Sequence, residues 1–363
     1  MKRLSFIPQL DSFRFFAVAL VIFFHYLPTY AFLPWGHLGV NFFFVLSGYL
    51  ITRNLLSLKQ SIDSKEISVP YAFKSFYLRR TLRIFPLYYM VIVLLYLLAR
   101  PLFEGNVGWY FAYMPNILVF VEKYWPGPLS VFWSLGVEEQ FYLLWPLLIF
   151  LVRWSSIKRL FIAFIAFGIA YKIIIFLIHG SPYHYVLPWN QFDAFGVGAL
   201  LAYSAVFPGQ ASLLKKIPFL PGFLFCSAAG IASFLLHIDC LFVPFISFAS
   251  YFIIRQAEKG FTGVAGWILD LPALQYLGRI SYGLYVYHTF TPWIWRCLIG
   301  TEDKYPLPIT LFRYAWLANP MVNLVAQFAL AVGISSLSWY LVERPFINLK
   351  NKLQPKLKPS LSA

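Results

Sequence analysis

Arg14 and His25 stand eleven residues apart in one apolar stretch near the start of the chain. On an α-helix that spacing returns to within about 20° of the same face and climbs about 16 Å. The face then carries a permanent cation at one depth and, at another, an imidazole able to accept a proton near neutral pH. Such a helix could hold an anion at one end and carry out general-base or nucleophilic chemistry at the other. Taken alone, the pair also fits an arginine snorkelling to headgroups and a hydrogen-bonded interfacial histidine. A second group is basic. In Arg79-Arg80-Thr81-Leu82-Arg83 the last two arginines share a helical face at i,i+3, where guanidiniums can grip phosphate bidentately or anchor lipid headgroups.

Two further groups carry polar chemistry into apolar runs. Trp133-Ser134-Leu135-Gly136-Val137-Glu138-Glu139-Gln140-Phe141-Tyr142 takes two adjacent carboxylates into such a run. Neighbouring helical residues diverge by about 100°, so only one of the two is expected to face a given cavity. Glu138 is expected to orient His25 and raise its basicity. Gly278-Arg279-Ile280-Ser281-Tyr282-Gly283-Leu284-Tyr285-Val286-Tyr287-His288 again sets an arginine before a deeper histidine. Lys172 and Asp193 are expected to neutralise each other. His37, His179, His184 and His237 fall at the ends of apolar runs or in outer loops and are expected to be structural. Gly36, Gly39, Ser47 and Gly48 fit close helix packing.

The elements that must position these residues are membrane helices. Of 363 residues, 60% are hydrophobic and 12% charged, against about 25% charged in a typical soluble domain. The mean hydropathy is +0.69. Disordered chains, disulfide scaffolds and ordinary soluble enzymes are excluded. Apolar runs fall at about 12–33, 36–52, 84–100, 131–152, 160–178, 189–207, 218–237, 241–256, 272–297 and 318–342. They are near-continuous rather than alternating, which favours helices over a transmembrane barrel. The fold class expected is all-α, a polytopic membrane protein with about ten transmembrane helices.

The net charge of +15 is distributed by side. Lys2 and Arg3, the basic 53–83 segment, Arg153, Lys158 and Arg159, Lys215 and Lys216, Arg255 and Lys259, and the lysines after Arg344 all fall on one side of a ten-span chain. Arg100, Lys123, Arg296, Lys304 and Arg313 fall on the other. The positive-inside rule makes both termini cytoplasmic. It makes 101–128 an outer loop bearing Trp109 and Trp125. Asp11 and Arg14 interrupt the first apolar run, and no small-residue cleavage site follows it, so the run is expected to be retained rather than removed as a signal peptide. Residues 1–350 are expected to form one membrane domain and 351–363 a basic cytoplasmic tail, with no appended soluble domain. Cys226, Cys240 and Cys297 lack metal-ligand spacing, so neither a metal nor a disulfide is expected. The basic excess is assigned to membrane lipids and a cytosolic anion, with no nucleic-acid partner.

Motifs running from about residue 10 to 346 resemble one family. They are Leu10-Asp11-Ser12-Phe13-Arg14, the Arg14 to His25 spacing, Gly39-Val40-Asn41-Phe42-Phe43-Phe44-Val45-Leu46-Ser47-Gly48-Tyr49, and Arg80 to Arg83 with Phe85-Pro86. Trp133-Ser134-Leu135 with Glu138 and Gln140-Phe141-Tyr142 follows, then Asp193-Ala194-Phe195 with Gly198. Ser281-Tyr282-Gly283-Leu284-Tyr285 with His288, and Glu343-Arg344-Pro345-Phe346, complete the series. The chain resembles the family-3 membrane acyltransferases, which include bacterial O-antigen and exopolysaccharide O-acetyltransferases. The resemblance implies a bacterial cytoplasmic-membrane enzyme with no bound cofactor. It would use acyl-CoA, most often acetyl-CoA, as cytosolic co-substrate, and an outer acceptor hydroxyl on an envelope glycan or lipid-linked sugar. It nominates Arg14 and His25 as essential and Arg80 and Arg83, with the adjacent Arg79, for the donor. Glu138 and His288 come next, supported by Asp11, Ser47, Trp133, Ser134, Tyr142, Ser281 and Tyr285. Larger members carry a hydrolase-like domain after the last span.

The expected mechanism seats the donor's phosphates among the cytosolic arginines. Its thioester arm would run up a polar channel between the first, third, fourth and ninth spans. His25 would act as general base or as a transient acyl carrier. A transporter of an acyl group, a lipid-linked sugar or protons would also bury Arg, His and Glu. It would have no need of a paired-arginine clamp. A lipid-linked glycosyltransferase would be expected to place acids in the first outer loop, and the segment from Pro28 to Gly36 has none.

Overall fold

The computed structural model describes residues 6–28, 32–210, 213–299 and 319–353. Among these the chain is helical throughout, without strands. The helices are α1 (Pro8–Tyr26), α2 (Trp35–Asp63), α3 (Val69–Leu98), α4 (Val107–Phe111), α5 (Pro115–Glu122), α6 (Phe132–Leu151), α7 (Trp154–Leu177) and α8 (Phe192–Val206). They continue with α9 (Phe219–Leu235), α10 (Asp239–Lys259), α11 (Gly263–Leu269), α12 (Pro272–Arg279), α13 (Ser281–Tyr287), α14 (Thr291–Leu298), α15 (Pro320–Ser338) and α16 (Arg344–Leu353). Lys2, Arg3, Lys304, Arg313 and the tail beyond Leu353 lie outside the described residues.

Helix starts follow local chemistry. Pro8 opens α1, where a missing N–H costs no hydrogen bond. Ser68 caps α3 by accepting the Tyr71 N–H at 3.4 Å, and Asn319 caps α15 by accepting that of Met321 at 2.9 Å. Among the described residues, five helical stretches are long and apolar enough to cross a membrane: Val69–Leu98, Gly127–Leu151, Trp154–Leu177, Asp239–Lys259 and Pro320–Leu349. Large apolar side chains such as Leu97, Leu98, Leu143, Leu151 and Leu177 are exposed along them, as lipid-facing surface requires. The fold is that of a multi-pass membrane protein.

α2 and α8 lie inside. α2 contacts α1, α3, α6, α8 and α10. α8 packs against it so closely that a Cβ at Gly198 would lie 2.0 Å from the Val45 carbonyl oxygen, and one at Gly48 would lie 2.3 Å from that of Phe195. Small residues let these two backbones touch. Phe141 of α6 stacks on Phe195 at 3.9 Å beside this seam.

Two features differ from the hydropathy reading. The basic 53–83 segment is not an extended loop. α2 continues to Asp63 and α3 begins at Val69, so Arg79, Arg80 and Arg83 are carried on a helix that projects before its apolar part. The 272–297 run is not one span but α12, α13 and α14. The second break has a clear cause. Pro292, at the start of α14, has no N–H to return to the His288 carbonyl. That carbonyl instead accepts the Tyr26 hydroxyl at 3.0 Å and the Thr291 hydroxyl at 2.9 Å.

Candidate active site

The site is built on α1, whose start is tied down by side chains. Gln9 donates to the Phe261 carbonyl and to Asp270 Oδ1, each at 3.1 Å, and accepts the Phe261 N–H at 2.8 Å. Ser12 donates to the Leu269 carbonyl at 2.6 Å. One turn on, Asp11 Oδ1 meets Arg14 Nη1 at 2.9 Å, holding the guanidinium toward a narrow cavity of about 100 Å³. Arg80 and Arg83 of α3, Ser47 of α2, Glu138 and Tyr142 of α6 and Ser281 of α13 join Arg14 in its lining. Ser47 Oγ donates to Glu138 Oε1 at 2.8 Å and lies 3.0 Å from the Tyr142 hydroxyl. The Arg80 guanidinium sits 5.4 Å from the Tyr142 ring centroid, within cation–π range.

Three expectations about this end change. Glu138 does not meet His25: its bond is to Ser47, because its register on α6 places it at the depth of the arginines. Both Glu138 and Glu139 line the cavity, which α6 shares with α1, α2, α3 and α13. Glu139 Oε1 is buried with no hydrogen-bond partner among the described residues. Arg79 points away from this lining and donates to Asn54 Oδ1 at 3.2 Å.

At the other end of α1, His25 lines a cavity of about 320 Å³ with Trp133, His37, Tyr185 and Tyr285 among its walls. Beside it is His288, wholly buried. His25 Nδ1 lies 2.8 Å from the Val21 carbonyl oxygen and 3.2 Å from His288 Nε2. His288 Nδ1 lies 2.7 Å from the Tyr285 carbonyl oxygen. A carbonyl can only accept, so both Nδ1 atoms carry the proton. His288 Nε2 is then an acceptor for the His25 N–H, and His25 Nε2 keeps its lone pair. That nitrogen can take a proton or form a bond.

The remaining nominated residues support this end. The Ser134 and Tyr285 hydroxyls are 2.6 Å apart, and the Trp133 ring is 4.8 Å from Tyr185. The two cavities meet at an edge-to-face contact, 6.4 Å between centroids, of Phe43 from the arginine cavity and Tyr285 from the histidine cavity. α2 thus joins the four spans expected to frame the channel. The Lys172–Asp193 pair is present at 2.5 Å. Among the described residues, no group of three or more His, Cys, Asp or Glu is placed to hold a metal.

The sequence marks Tyr282 and Glu343 only as motif residues, Glu139 as the carboxylate expected to face elsewhere, and Tyr185 not at all. Glu139 stood next to a nominated residue. Glu343 closes a π-helical turn, Trp339–Glu343, and a Cβ at Gly283 would lie 3.3 Å from its Oε1. π-Turns often mark functional sites. For Tyr185 no signal precedes the fold.

Buried ionisable side chains around two stacked cavities, enclosed by apolar helices, define a multi-pass membrane protein with an internal polar site. The chain belongs to the acyltransferase domain family, acyltransferase 3, whose model matches residues 7–343. It is 28% identical over 366 aligned residues to the peptidoglycan O-acetyltransferase OatA of Listeria monocytogenes, covering 85% of this chain and 55% of that one. It is 31% identical over 323 residues to the O-acetyltransferase OatA of Staphylococcus aureus, covering 78% and 50%. The chain spans about half the length of these curated relatives. No solved structure matches it significantly.

Proposed function

We propose that this protein transfers an acyl group, in the first instance acetyl, from cytosolic acyl-CoA to a hydroxyl of an envelope glycan on the outer side of a bacterial cytoplasmic membrane. The chain would cross that membrane about ten times with both termini inside. The observation that carries the reading is the placement of an arginine cavity and a histidine pair on opposite ends of one helix, α1, with their walls in contact at Phe43 and Tyr285.

The donor is a polyanion, and three guanidiniums border the inner cavity. At about 100 Å³ the inner cavity is much narrower than the histidine cavity of about 320 Å³ and suits the slender arm of the donor better than its nucleotide. The adenosine and its phosphates would therefore stay at the cytosolic mouth while the thioester arm enters. Glu138 and Glu139 offset the guanidiniums when no donor is bound, since unpaired buried charge is costly. The acceptor hydroxyl sits in the outer cavity. His25 Nε2 takes its proton as the oxygen attacks the thioester carbonyl. The C–S bond breaks, and the thiolate of coenzyme A leaves and is protonated. The same lone pair also suits attack by His25 itself, breaking the C–S bond to give an acyl-histidine; the acceptor oxygen then attacks that acyl group, the C–N bond breaks and the freed His25 Nε2 takes the hydroxyl proton. In either route His288 Nε2 accepts the His25 Nδ1–H and steadies the charged ring. The relatives' names point to peptidoglycan as the first acceptor to try, ahead of O-antigen or exopolysaccharide.

The test is thiol release from acetyl-CoA by purified protein, with and without envelope glycan, beside His25→Ala. Release that needs glycan and His25 is expected. Release indifferent to His25, or none with any envelope glycan in folded protein, would overturn the reading and favour a transporter.

A further inference from the structure

A second outer cavity, of about 390 Å³, adjoins the histidine cavity. It opens between the end of α7, residues 179–191 and the start of α10. Tyr185 stands in the walls of both cavities. Its ring packs against His37 at 4.5 Å and against Trp133 at 4.8 Å, a rigid aromatic partition.

The polar lining is mixed in a specific way. Asn190 is 7% exposed. Its amide N–H donates to the His184 carbonyl at 3.1 Å, while its Oδ1 has no hydrogen-bond partner among the described residues. A buried acceptor left unpaired is destabilising and calls for an explanation. Lys172 has three N–H donors. Two meet the Asn190 carbonyl and Asp193 Oδ1, which leaves a third. The His184 ring holds the Tyr171 hydroxyl at 2.5 Å through Nδ1, which leaves Nε2. Asp239 and His179 stand exposed in the same lining. An anion would meet the Asn190 oxygen and the Asp239 carboxylate. A cation would meet Lys172. A hydroxyl both donates and accepts, and satisfies both sets.

We propose that this cavity is a sugar-binding subsite. It seats a neighbouring unit of the same glycan chain whose hydroxyl reaches His25, an uncharged sugar lying beside Tyr185. The proposal rests on the acyl-transfer reading of the histidine cavity and adds that the acceptor is a chain of sugars rather than a single one.

Calorimetric titration of β-1,4-linked N-acetylglucosamine tetramer and monomer into the purified full chain tests it. The tetramer should bind about tenfold or more tighter than the monomer, as one or two added neutral hydrogen bonds allow. Asn190→Leu removes the unpaired acceptor. Asp239→Asn and His179→Asn alter exposed side chains and spare the packing, and asparagine tolerates the left-handed backbone at residue 179, φ 49°. Asn190→Leu should erase at least about half of the tetramer's free-energy advantage, roughly a threefold loss of affinity, and the two surface variants should each weaken it measurably. Equal binding of tetramer and monomer, no binding of either, or variants that keep the full advantage would overturn the subsite. A tetramer that binds with the expected advantage to protein that acetylates no envelope glycan would instead overturn the acyl-transfer reading and leave the sugar subsite standing.

Discussion

His25 donates its Nδ1–H to the Val21 carbonyl, so any proton it gains must arrive at Nε2. Replacing His25 with alanine should lower the turnover of acyl transfer by about 10²–10⁴-fold, the usual worth of a positioned general base. Steady-state thiol release checks this. His288→Phe keeps the ring volume but removes the Nε2 acceptor. It should lower kcat about tenfold with KM for acetyl-CoA unchanged, because that hydrogen bond, present to the neutral ring, strengthens when the His25 ring is charged. A rise in donor KM instead would contradict that role. On the inner side, Arg80→Lys exchanges a planar fork for a point charge and should raise donor KM by about tenfold, while Arg79→Ala, outside the cavity lining, should not. Residue types and spacing drew attention to Arg14, His25, Arg80 and Arg83, and the family resemblance nominated them for the site. They did not show that His25 meets His288 instead of Glu138, because that contact depends on α12 and α13 packing against α1.

At the scale of elements, hydropathy located the five long apolar stretches of the described residues but not the helices' polar ends. It reports lipid exposure, so it ended the second run near residue 52 although α2 continues in protein-buried form to Asp63, with Leu55, Leu56 and Leu58 fully covered. It also missed the break at Pro292, which matters because the carbonyl freed there anchors Tyr26 and, through it, the end of α1 that carries His25. The α2–α8 seam is legible from its glycines. Gly198→Leu would drive a side chain into the Val45 carbonyl and should destabilise the protein by about 3 kcal/mol or more. Thermal unfolding in detergent measures this, and a variant as stable as the parent would show that the seam can open.

For the molecule as a whole, charge placement alone predicts sidedness. The turn at Ser64 between α2 and α3 should face the cytosol, and Glu122 at the end of α5 should face out. The three native cysteines are buried, so single cysteines at Ser64 and Glu122 can be labelled in intact cells with a membrane-impermeant thiol reagent. Label at Glu122→Cys only is expected. Label at Ser64→Cys only would invert the topology and with it the assignment of donor and acceptor sides. Sidedness is what gives the two cavities their separate roles, and it can be read directly. In proteoliposomes with protein of one orientation, labelled acetyl-CoA is supplied on the side of the arginine cavity and glycan on the side of His25. Labelled glycan should accumulate in this arrangement, and should be lost when the two are exchanged or when His25 is alanine. Transfer that proceeds equally with donor on either side, or that survives His25→Ala, would contradict the account.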